Sequence, residues 1–567
     1  MCRKYIKFFA ALFAAVAMVG CFDDESTLDI NKADLIEIDP DAKIPSLIRL
    51  KVADMHLNLT PDVKIGEILN PEGLKYTWEM TSEPIDFVNN GNVSVISNEK
   101  TLDVDLNLEP STGTYKLYLT VTDPVSNNSW QKSWKIQVAG IPSGVLIAHT
   151  KDESTSEISL LAGHSYSSLY EDDEPSVVYH DLYASWTGAP LNSLVKRMDH
   201  LLQGQRASGM HTLIIVTNED KIKMFNMLDG STNYYITSKF WNNETQKDEN
   251  VTIEFDLDAE TTMKNQPGVA KYQTMRSFTD GNNSFAYGVA DNKLSFANFS
   301  SLGLAYTAPT ATIANVENYI EPEGISISLG GHQEFYSVRP HFVGYMPRAG
   351  KFIGADGTYS APTDITGTTG VAFDPVNYRN RTAIFADMGF NGITHIFLMK
   401  NNETNNYEIC QIQCRHDSDP IVVRDVAVIP AELNAKLDKA VSYSTSLNEP
   451  VLYVASGNEV IAINFVAPSN VMHKVVYTAP AGENISAIKQ FMQPNYRRYV
   501  SSFENYYKLS DLNAKALMVA TYKGGEGKLH VIPQVIDGMG TLNESNAQTF
   551  EGFGRIQCFC LMPEGAN

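Results

Sequence analysis

The chain lacks several features that define large classes of proteins. Among its 567 residues, 66 are acidic and only 44 are basic, which gives a formal net charge of −22. Because a nucleic-acid-binding surface needs basic side chains to neutralise phosphates, this balance argues against a nucleic-acid partner. In the chain after its first two dozen residues, no apolar run reaches the roughly 20 residues that a membrane-spanning helix needs.

Catalytic signatures are also scarce. The sequence has no H-E-x-x-H zinc motif, no G-x-x-x-x-G-K-[ST] phosphate loop and no G-x-G-x-x-G motif. Residues 163–167 begin like a nucleophile elbow, but Ser167 replaces the second glycine that the tight turn requires. The acidic run 171–174 lacks the spacing and glycine turn of a calcium loop. We therefore expect no enzyme, no metal and no cofactor; carboxylate pairs that meet only in the fold are the alternative.

Cysteine is rare, and its spacing does not form a disulfide framework. Four of the six cysteines lie in strand-like stretches far from the N-terminus: Cys410, Cys414, Cys558 and Cys560. A structural zinc knuckle usually places two to four residues between its cysteines, and Cys558 and Cys560 are too close for that. We expect buried free thiols, with one or two disulfides or a metal site as the alternatives.

The N-terminus has the pattern of a signal peptide. A short basic segment precedes the apolar run 8–19, which is too short to span a bilayer. The small and apolar residues before Cys21 resemble the bacterial lipobox, which implies cleavage at residue 20 and acylation of Cys21. Two or more acyl chains would anchor the protein stably in a membrane. An ordinary signal peptide with a chance cysteine is the alternative.

A short acidic tether follows, over residues 21–28. Its sequence Phe-Asp-Asp-Glu after Cys21 resembles the export signal of Bacteroidota surface lipoproteins. The resemblance implies a location in the outer membrane, lipid-anchored and facing the extracellular side. A solvated linker without an export role is the alternative.

Residues 29–139 alternate between apolar and polar positions, as strands of a β-sandwich do. Trp78 is placed like the core tryptophan of immunoglobulin-like sandwiches, and Tyr115 fits a tyrosine corner. Tyr76-Thr77-Trp78 and residues 113–123 resemble the PKD-like domains of Bacteroidota surface lipoproteins, although the usual Gly-Asp-Gly after the tryptophan strand is absent. This resemblance implies an accessory role beside SusC/SusD-type outer-membrane nutrient importers.

Residues 141–567 contain a degenerate repeat of an apolar strand, a polar turn and a second apolar strand. The seven pairs are 146–148 with 158–161, 213–216 with 222–225, 285–289 with 294–296, 342–345 with 352–353, 383–386 with 396–398, 452–455 with 460–463, and 517–520 with 529–532. A ring of such units buries every sheet face, so we predict an all-β chain: a sandwich followed by a β-propeller of about seven blades. Two unrelated β-domains are the alternative.

Three further expectations concern particular segments. The alternating strand 556–562 is predicted to pair near Val145 and close the ring. Residues 191–202 and 511–515 are the predicted short helices. Candidate ligand-binding loops are those rich in aromatic residues: Tyr234, Tyr235 and Trp241; Tyr496 and Tyr499; and Tyr166, Tyr170, Tyr179, Tyr183 and Trp186.

We expect a surface-exposed, non-catalytic accessory lipoprotein that binds glycan or peptide nutrients for a SusC/SusD-type importer. The alternative is a surface hydrolase or lyase of glycans or peptides, with its active site in the central channel of the propeller. Converging carboxylates or a His/Tyr/Arg cluster at the channel would favour that enzyme, whereas an aromatic strip would favour a binding module.

Overall fold

A computed structural model provides the structure of the protein. It describes residues 35–51, 55–82, 92–108, 114–139, 144–167, 175–203, 210–226, 233–242, 247–256, 272–280, 283–290, 292–300, 306–310, 319–327, 338–339, 342–355, 362–416, 421–492 and 510–561. The signal peptide, the tether and Cys21 lie outside the described residues, as do Tyr170, Tyr496 and Tyr499.

The N-terminal region is built from strands alone in its described residues. They are β1 (Ile36–Ile38), β2 (Leu47–Lys51), β3 (His56–Leu59), β4 (Val63–Ile65), β5 (Ile68–Leu69), β6 (Lys75–Thr81), β7 (Val93–Ser97), β8 (Leu102–Asp105), β9 (Tyr115–Asp123) and β10 (Asn128–Ala139). The main sheet has the order β2-β10-β9-β6-β7, and β2 runs parallel to β10. Two smaller sheets, β1-β4-β5 and β3-β8, complete this region.

One apolar core joins these sheets. Trp78 and Trp134 are both buried, with ring centroids 5.8 Å apart, and the Trp78 indole N–H donates to the backbone oxygen of Glu99 at 3.0 Å. The predicted alternation is confirmed on β9, where every second residue is fully or nearly fully buried: Tyr115, Leu117, Leu119 and Val121. Burying each such side chain contributes about 1.5–3 kcal/mol before conformational entropy is counted.

The rest of the chain forms successive antiparallel sheets. The first contains β11 (Gly144–Thr150), β12 (Glu157–Ala162), β13 (Val177–Tyr179) and the last strand of the chain, β43 (Arg555–Leu561). The second contains β14 (Val195–Gln203), β15 (Met210–Thr217) and β16 (Ile222–Asn226), and a separate hairpin of β17 (Asn233–Asn242) and β18 (Lys247–Asp256) follows it. The third contains β19 (Tyr272–Asp280), β20 (Asn283–Ala290), β21 (Lys293–Ser300) and β22 (Tyr306–Thr310).

Four more sheets follow in chain order. The fourth contains β23 (Ile325–Ile327), β25 (Phe342–Met346), β26 (Lys351–Ala355) and β27 (Thr363–Asp364), with β24 (Val338–Arg339) paired separately to β31 (Arg415–His416). The fifth contains β28 (Arg381–Gly389), β29 (Thr394–Asn401), β30 (Tyr407–Gln413), β32 (Val422–Val423) and β33 (Ala427–Val428). The sixth contains β34 (Ala440–Thr445), β35 (Val451–Ser456), β36 (Glu459–Asn464) and β37 (Met472–Thr478). The seventh contains β38 (Asn484–Gln490), β39 (Ala516–Lys523), β40 (Glu526–Val535), β41 (Thr541–Leu542) and β42 (Gln548–Phe553).

The sheets close into a ring. One edge strand of each sheet contacts the equivalent strand of the next, in the cyclic order β43, β14, β19, β23, β28, β34, β38 and back to β43. In the described part of the chain, buried apolar clusters fill the spaces between the first and second sheets, from the third sheet through to the seventh, and between the seventh sheet and the first. These inner strands surround a central channel, as the blades of a β-propeller do. The predicted propeller fold is therefore confirmed.

The predicted closure of the ring is also confirmed. Strand β43 pairs antiparallel with β11, and Val145 lies opposite Leu561. This pairing ties the two ends of the propeller together, so no sheet edge is left open at the junction. Each of the seven predicted strand pairs is an antiparallel pair in the structure.

Both helix predictions were wrong. Residues 195–203 form strand β14, and a bulge at Lys196 places Val195 and Met198 on the same buried side. That three-residue spacing imitates a helix face, although the backbone is extended. Residues 511–515 form turns. The helices that are described are short: α1 (Leu182–Thr187), α2 (Asn434–Leu437), and 3-10 turns at Pro322–Gly324, Phe390–Gly392, Ala431–Leu433 and Glu544–Asn546. None of the described helices is long and apolar enough to cross a membrane.

Candidate functional site in the central channel

Charged side chains from several inner strands converge on the channel. We call them the channel cluster, and it consists of Arg197 and Asp199 on β14, Arg276 on β19, Glu323 in the turn before β23, Asp387 on β28 and Lys489 on β38. The inner strands of all the sheets surround the channel, so charged residues on these strands come from distant parts of the chain to the same region. The cluster, as defined from the described residues, contains three cations and three carboxylates, so its formal charges cancel.

Arg276 is the most buried member of the cluster. Its side chain is only 5% exposed, and its Nη1 donates to Asp387 Oδ1 at 3.4 Å. Its Nε is buried without a hydrogen-bond partner among the described residues. Burial and the positive charge of Arg197 lower the pKa of Arg276 to about 10, against the opposite effect of Asp387, Glu323 and Asp199. Arg276 therefore remains a cation at neutral pH.

Arg197 also has an unsatisfied donor. Its Nε is buried, and no acceptor lies within hydrogen-bond distance in the described part of the chain. Its charge acts on Arg276 and, together with that of Lys489, on Cys558 of strand β43. Burial nevertheless raises the pKa of Cys558 to about 12. Arg197 thus lies between the first and third sheets, where two guanidinium groups approach each other.

The cluster is chemically suited to hold a polar ligand. A buried donor without an acceptor costs about 1–3 kcal/mol, and native structures contain few of them. A ligand oxygen beside Arg197 and Arg276 would recover this cost, and carboxylates of the cluster would accept from ligand hydroxyl or amino groups.

The first group of aromatic candidates lies in a strand, so the prediction of a loop was wrong. Tyr234, Tyr235 and Trp241 belong to β17, and Trp241 is opposite Asp248 of β18. The aromatic and β-branched residues of this segment favour an extended hairpin more strongly than its polar residues favour a loop. Their role in ligand binding stays a prediction, as does that of Tyr496 and Tyr499.

Two members of the third group of aromatic candidates, Tyr166 and Tyr183, are part of the core. Tyr166 is buried, contacts Phe491 edge-to-face at 5.6 Å and donates to Gln548 Oε1 at 2.5 Å. Burial raises its pKa. Tyr183 is also buried and lies against the first sheet. For these two residues the predicted ligand surface is wrong, because they fill spaces between the sheets.

The four cysteines outside the N-terminal segment are free thiols, and Cys410, Cys414 and Cys560 are buried. Burial raises the pKa of Cys410 to about 12, so its thiol stays protonated. No group of three or more histidine, cysteine or carboxylate side chains in the described ranges is arranged to hold a metal ion.

A second polar network lies at the junction of the ring. The backbone N–H of Gly554 donates to His149 Nδ1 at 3.2 Å, so His149 Nε2 carries the proton and donates to Ser159 Oγ at 2.9 Å. Ser159 Oγ lies 3.4 Å from His180 Nδ1. Burial lowers the pKa of His149 to about 4. Because Ser159 is fully buried, this network is structural despite its resemblance to a catalytic relay.

Sequence reasoning did not find the channel cluster. Its members come from distant parts of the chain, Arg276 and Asp387 being 111 positions apart, and no local motif connects them. The sequence feature that could have indicated the cluster was a charged residue in the strand that precedes several of the predicted hairpins. One of those strands, β14, was predicted to be a helix.

No protein-family model matches the chain, and no match was found among curated proteins. Solved structures with a distant likeness include a quinonprotein alcohol dehydrogenase-like protein from Bacteroides thetaiotaomicron, with 12% identity, 92% of this chain and 97% of that chain covered, and a TM-score of 0.34. Another is PorZ, a surface component of the type-IX secretion system of Porphyromonas gingivalis, with 9% identity, 74% and 48% covered, and a TM-score of 0.30. The WD40 domain of SCAP from fission yeast has 8% identity, 79% and 92% covered, and a TM-score of 0.32. Likenesses this weak carry no argument about function.

Proposed function

We propose that the chain is a lipoprotein of the bacterial outer membrane, anchored through Cys21 and exposed on the cell surface. In this proposal it binds glycan or peptide nutrients without cleaving them, as an accessory subunit of a SusC/SusD-type importer. The lipobox-like sequence and the acidic segment after Cys21 support the anchor and its location. The resemblance of residues 113–123 to PKD-like domains supports the association with an importer.

The proposal assigns separate tasks to the two regions. The N-terminal region is a PKD-like sandwich that holds the propeller away from the membrane, and the propeller has seven blades. The hairpin of β17 and β18, which contains Trp241, follows the second blade in the chain, and in this proposal it supplies a secondary contact for the ligand. An acyl anchor keeps the binding domain next to its partner and so raises the effective concentration of the ligand there.

The observation that carries the binding function is the unsatisfied Nε of Arg276 within a charge-balanced channel. A purely structural ion pair is expected to satisfy its buried donors, because leaving them unpaired costs stability. Asp387 accepts a hydrogen bond from Arg276, which is the role of an acceptor in a binding site.

Binding can be tested with the purified mature protein. It is incubated with oligosaccharide and peptide pools, and both retention and cleavage are measured by mass spectrometry. We expect retention of one class and no cleavage. Retention of neither class would contradict the binding function, and cleavage would favour the enzyme.

The importer association is tested by purifying the tagged protein from native outer membranes. We expect a SusC/SusD-type pair to co-purify with the wild type and to be lost with Cys21→Ser, which removes the acylation site. If no importer component accompanies the wild-type protein, the accessory role is wrong.

A surface hydrolase or lyase is the second candidate, because one observation favours it. Asp199, Glu323 and Asp387 bring three carboxylates to the channel, together with two arginines. A glycosidase would use two such carboxylates as acid and base or nucleophile. If the pools are cleaved, Asp387→Asn and Asp199→Asn should each abolish cleavage while Asp425→Asn, at an exposed position of the fifth sheet, should not.

A further inference from the structure

We infer that the channel cluster recognises a carboxylate group on its ligand through Arg276 and Arg197. This inference rests on the proposed binding function and names the ligand class for the same site. It comes from an imbalance in the hydrogen bonding of the two guanidinium groups.

The first argument concerns the geometry of the Arg276–Asp387 contact. Charge-assisted N–H···O bonds are usually about 2.7–2.9 Å long, and guanidinium binds carboxylate best through two parallel bonds. Among the described residues, Arg276 contacts Asp387 at 3.4 Å through Nη1, and its buried Nε has no acceptor. A second carboxylate could accept from this Nε in the bidentate arrangement that the guanidinium group favours.

The second argument concerns the neighbouring cation. Arg197 acts electrostatically on Arg276 and disfavours its charged form. The two guanidinium groups repel each other, and each has a buried Nε without an acceptor among the described residues. An anion between them would remove the repulsion and accept from both donors.

The third argument limits the charge of that anion. Asp199, Glu323 and Asp387 also face the cluster, so a doubly charged phosphate would meet strong repulsion from three carboxylates. A singly charged carboxylate flanked by hydroxyl or amide donors fits better, since the same three carboxylates then accept from those donors. Both an acidic sugar and the free C-terminus of a peptide have this chemistry.

The test compares matched probes by calorimetric titration of the mature protein. A galacturonic acid trimer is compared with the neutral galactose trimer, and trialanine with a free C-terminus is compared with its amide. We expect one acidic probe to bind at least tenfold more tightly than its neutral partner, and which pair shows the preference separates the sugar source from the peptide source.

Variants assign the preference to the cluster. Arg276→Gln and Arg197→Gln should each reduce the preference for the acidic probe to less than threefold. Arg424→Gln should keep it, because that exposed arginine lies outside the channel. If Arg276→Gln fails to fold, Arg197→Gln and the comparison of matched probes on the wild-type protein still decide the question.

Two outcomes would overturn the inference in distinguishable ways. Equal binding of the acidic and neutral probes by the wild type would refute carboxylate recognition and leave the proposed binding function standing. No binding of any probe, together with no retention from the wider ligand pools, would remove both. A preference that survives both arginine variants would place carboxylate recognition elsewhere on the molecule.

Discussion

Two buried arginine–carboxylate pairs in this propeller differ in how completely their hydrogen bonds are made. In the fifth sheet, Arg381 Nε donates to Glu408 Oε2 at 2.9 Å, and Asn401 donates to Glu408 Oε1 at 2.9 Å. Tyr378 donates to the same carboxylate through its hydroxyl. In the channel, Arg276 contacts Asp387 at 3.4 Å, and its Nε is buried without an acceptor among the residues that the structure describes.

The complete hydrogen bonding of Arg381 and Glu408 is typical of a structural pair, whereas the incomplete bonding of Arg276 is what a ligand-binding site would show. Although burial acts to lower it, the hydrogen bond to Glu408 raises the pKa of Arg381, and the burial of Tyr378 raises the pKa of that phenol. The hydrogen bonds of Arg381, Tyr378 and Glu408 therefore stabilise the arrangement that these side chains already have. In the channel pair, Arg276 Nε has no acceptor among the described residues, and the neighbouring Arg197 repels Arg276. A bound ligand would satisfy that donor and reduce the repulsion.

Removing the carboxylate of the saturated pair should have the largest effect. Glu408→Ala leaves Arg381 mostly buried without its counter-ion and removes the carboxylate that accepts from the Tyr378 hydroxyl. We expect a loss of about 3–5 kcal/mol in the free energy of unfolding, as for other broken buried pairs. Urea unfolding followed by circular dichroism measures it. The control is Glu403→Ala, at an exposed position in the turn between β29 and β30, which should cost less than about 0.5 kcal/mol.

In the second buried network, around His149, the hydrogen bonds are complete only while this histidine is neutral. His149 is fully buried, and its pKa is about 4 in the folded protein against 6.5 for an unperturbed histidine. Between these values the unfolded chain binds more protons, so stability is complete above pH 6.5 and falls as the pH drops toward 4. The loss attributable to His149 is about 3 kcal/mol.

The free energy of unfolding of the wild type and of His149→Gln is measured at several pH values between about 7 and about 4. The difference between the two proteins should shrink as the pH falls. His56→Gln, whose side chain is half exposed, is the matched control and should show no comparable change. A constant difference between wild type and His149→Gln would contradict the assignment.

The smallest effect on stability is expected in the channel. Arg276→Met removes the unsatisfied donor and replaces a weak ion pair with apolar contacts, while Asp387 keeps partial access to water. We expect the free energy of unfolding to change by less than about 1 kcal/mol in either direction. A loss as large as that of Glu408→Ala would mean that the channel pair is structural, and the comparison would fail.

Much of the fold could be predicted from local patterns. Each propeller hairpin combines two apolar strands with a turn whose chemistry is visible in the sequence, such as Gly457-Asn458 between β35 and β36. The closing pair of β11 and β43 was predictable because β43 follows the last hairpin of the repeat and β11 belongs to the first, so their pairing closes the ring. The alternation of β9 likewise identified its buried face.

The errors and omissions have physical causes. The bulge at Lys196 broke the two-residue period of β14 and made it resemble a helix. Tyr166 was assigned to a binding surface because polar neighbours hid its burial between two sheets. The channel cluster could not be predicted because its residues come together only when the ring closes, and ring closure depends on contacts between distant segments.

A crystal structure of the mature protein with the galacturonic acid trimer or free trialanine, whichever binds, tests the central claim most directly. The account predicts that the ligand carboxylate lies in the channel within hydrogen-bond distance of Arg276 Nε and contacts Arg197. A ligand bound outside the channel, with the Arg276 donor still unpaired, would contradict it.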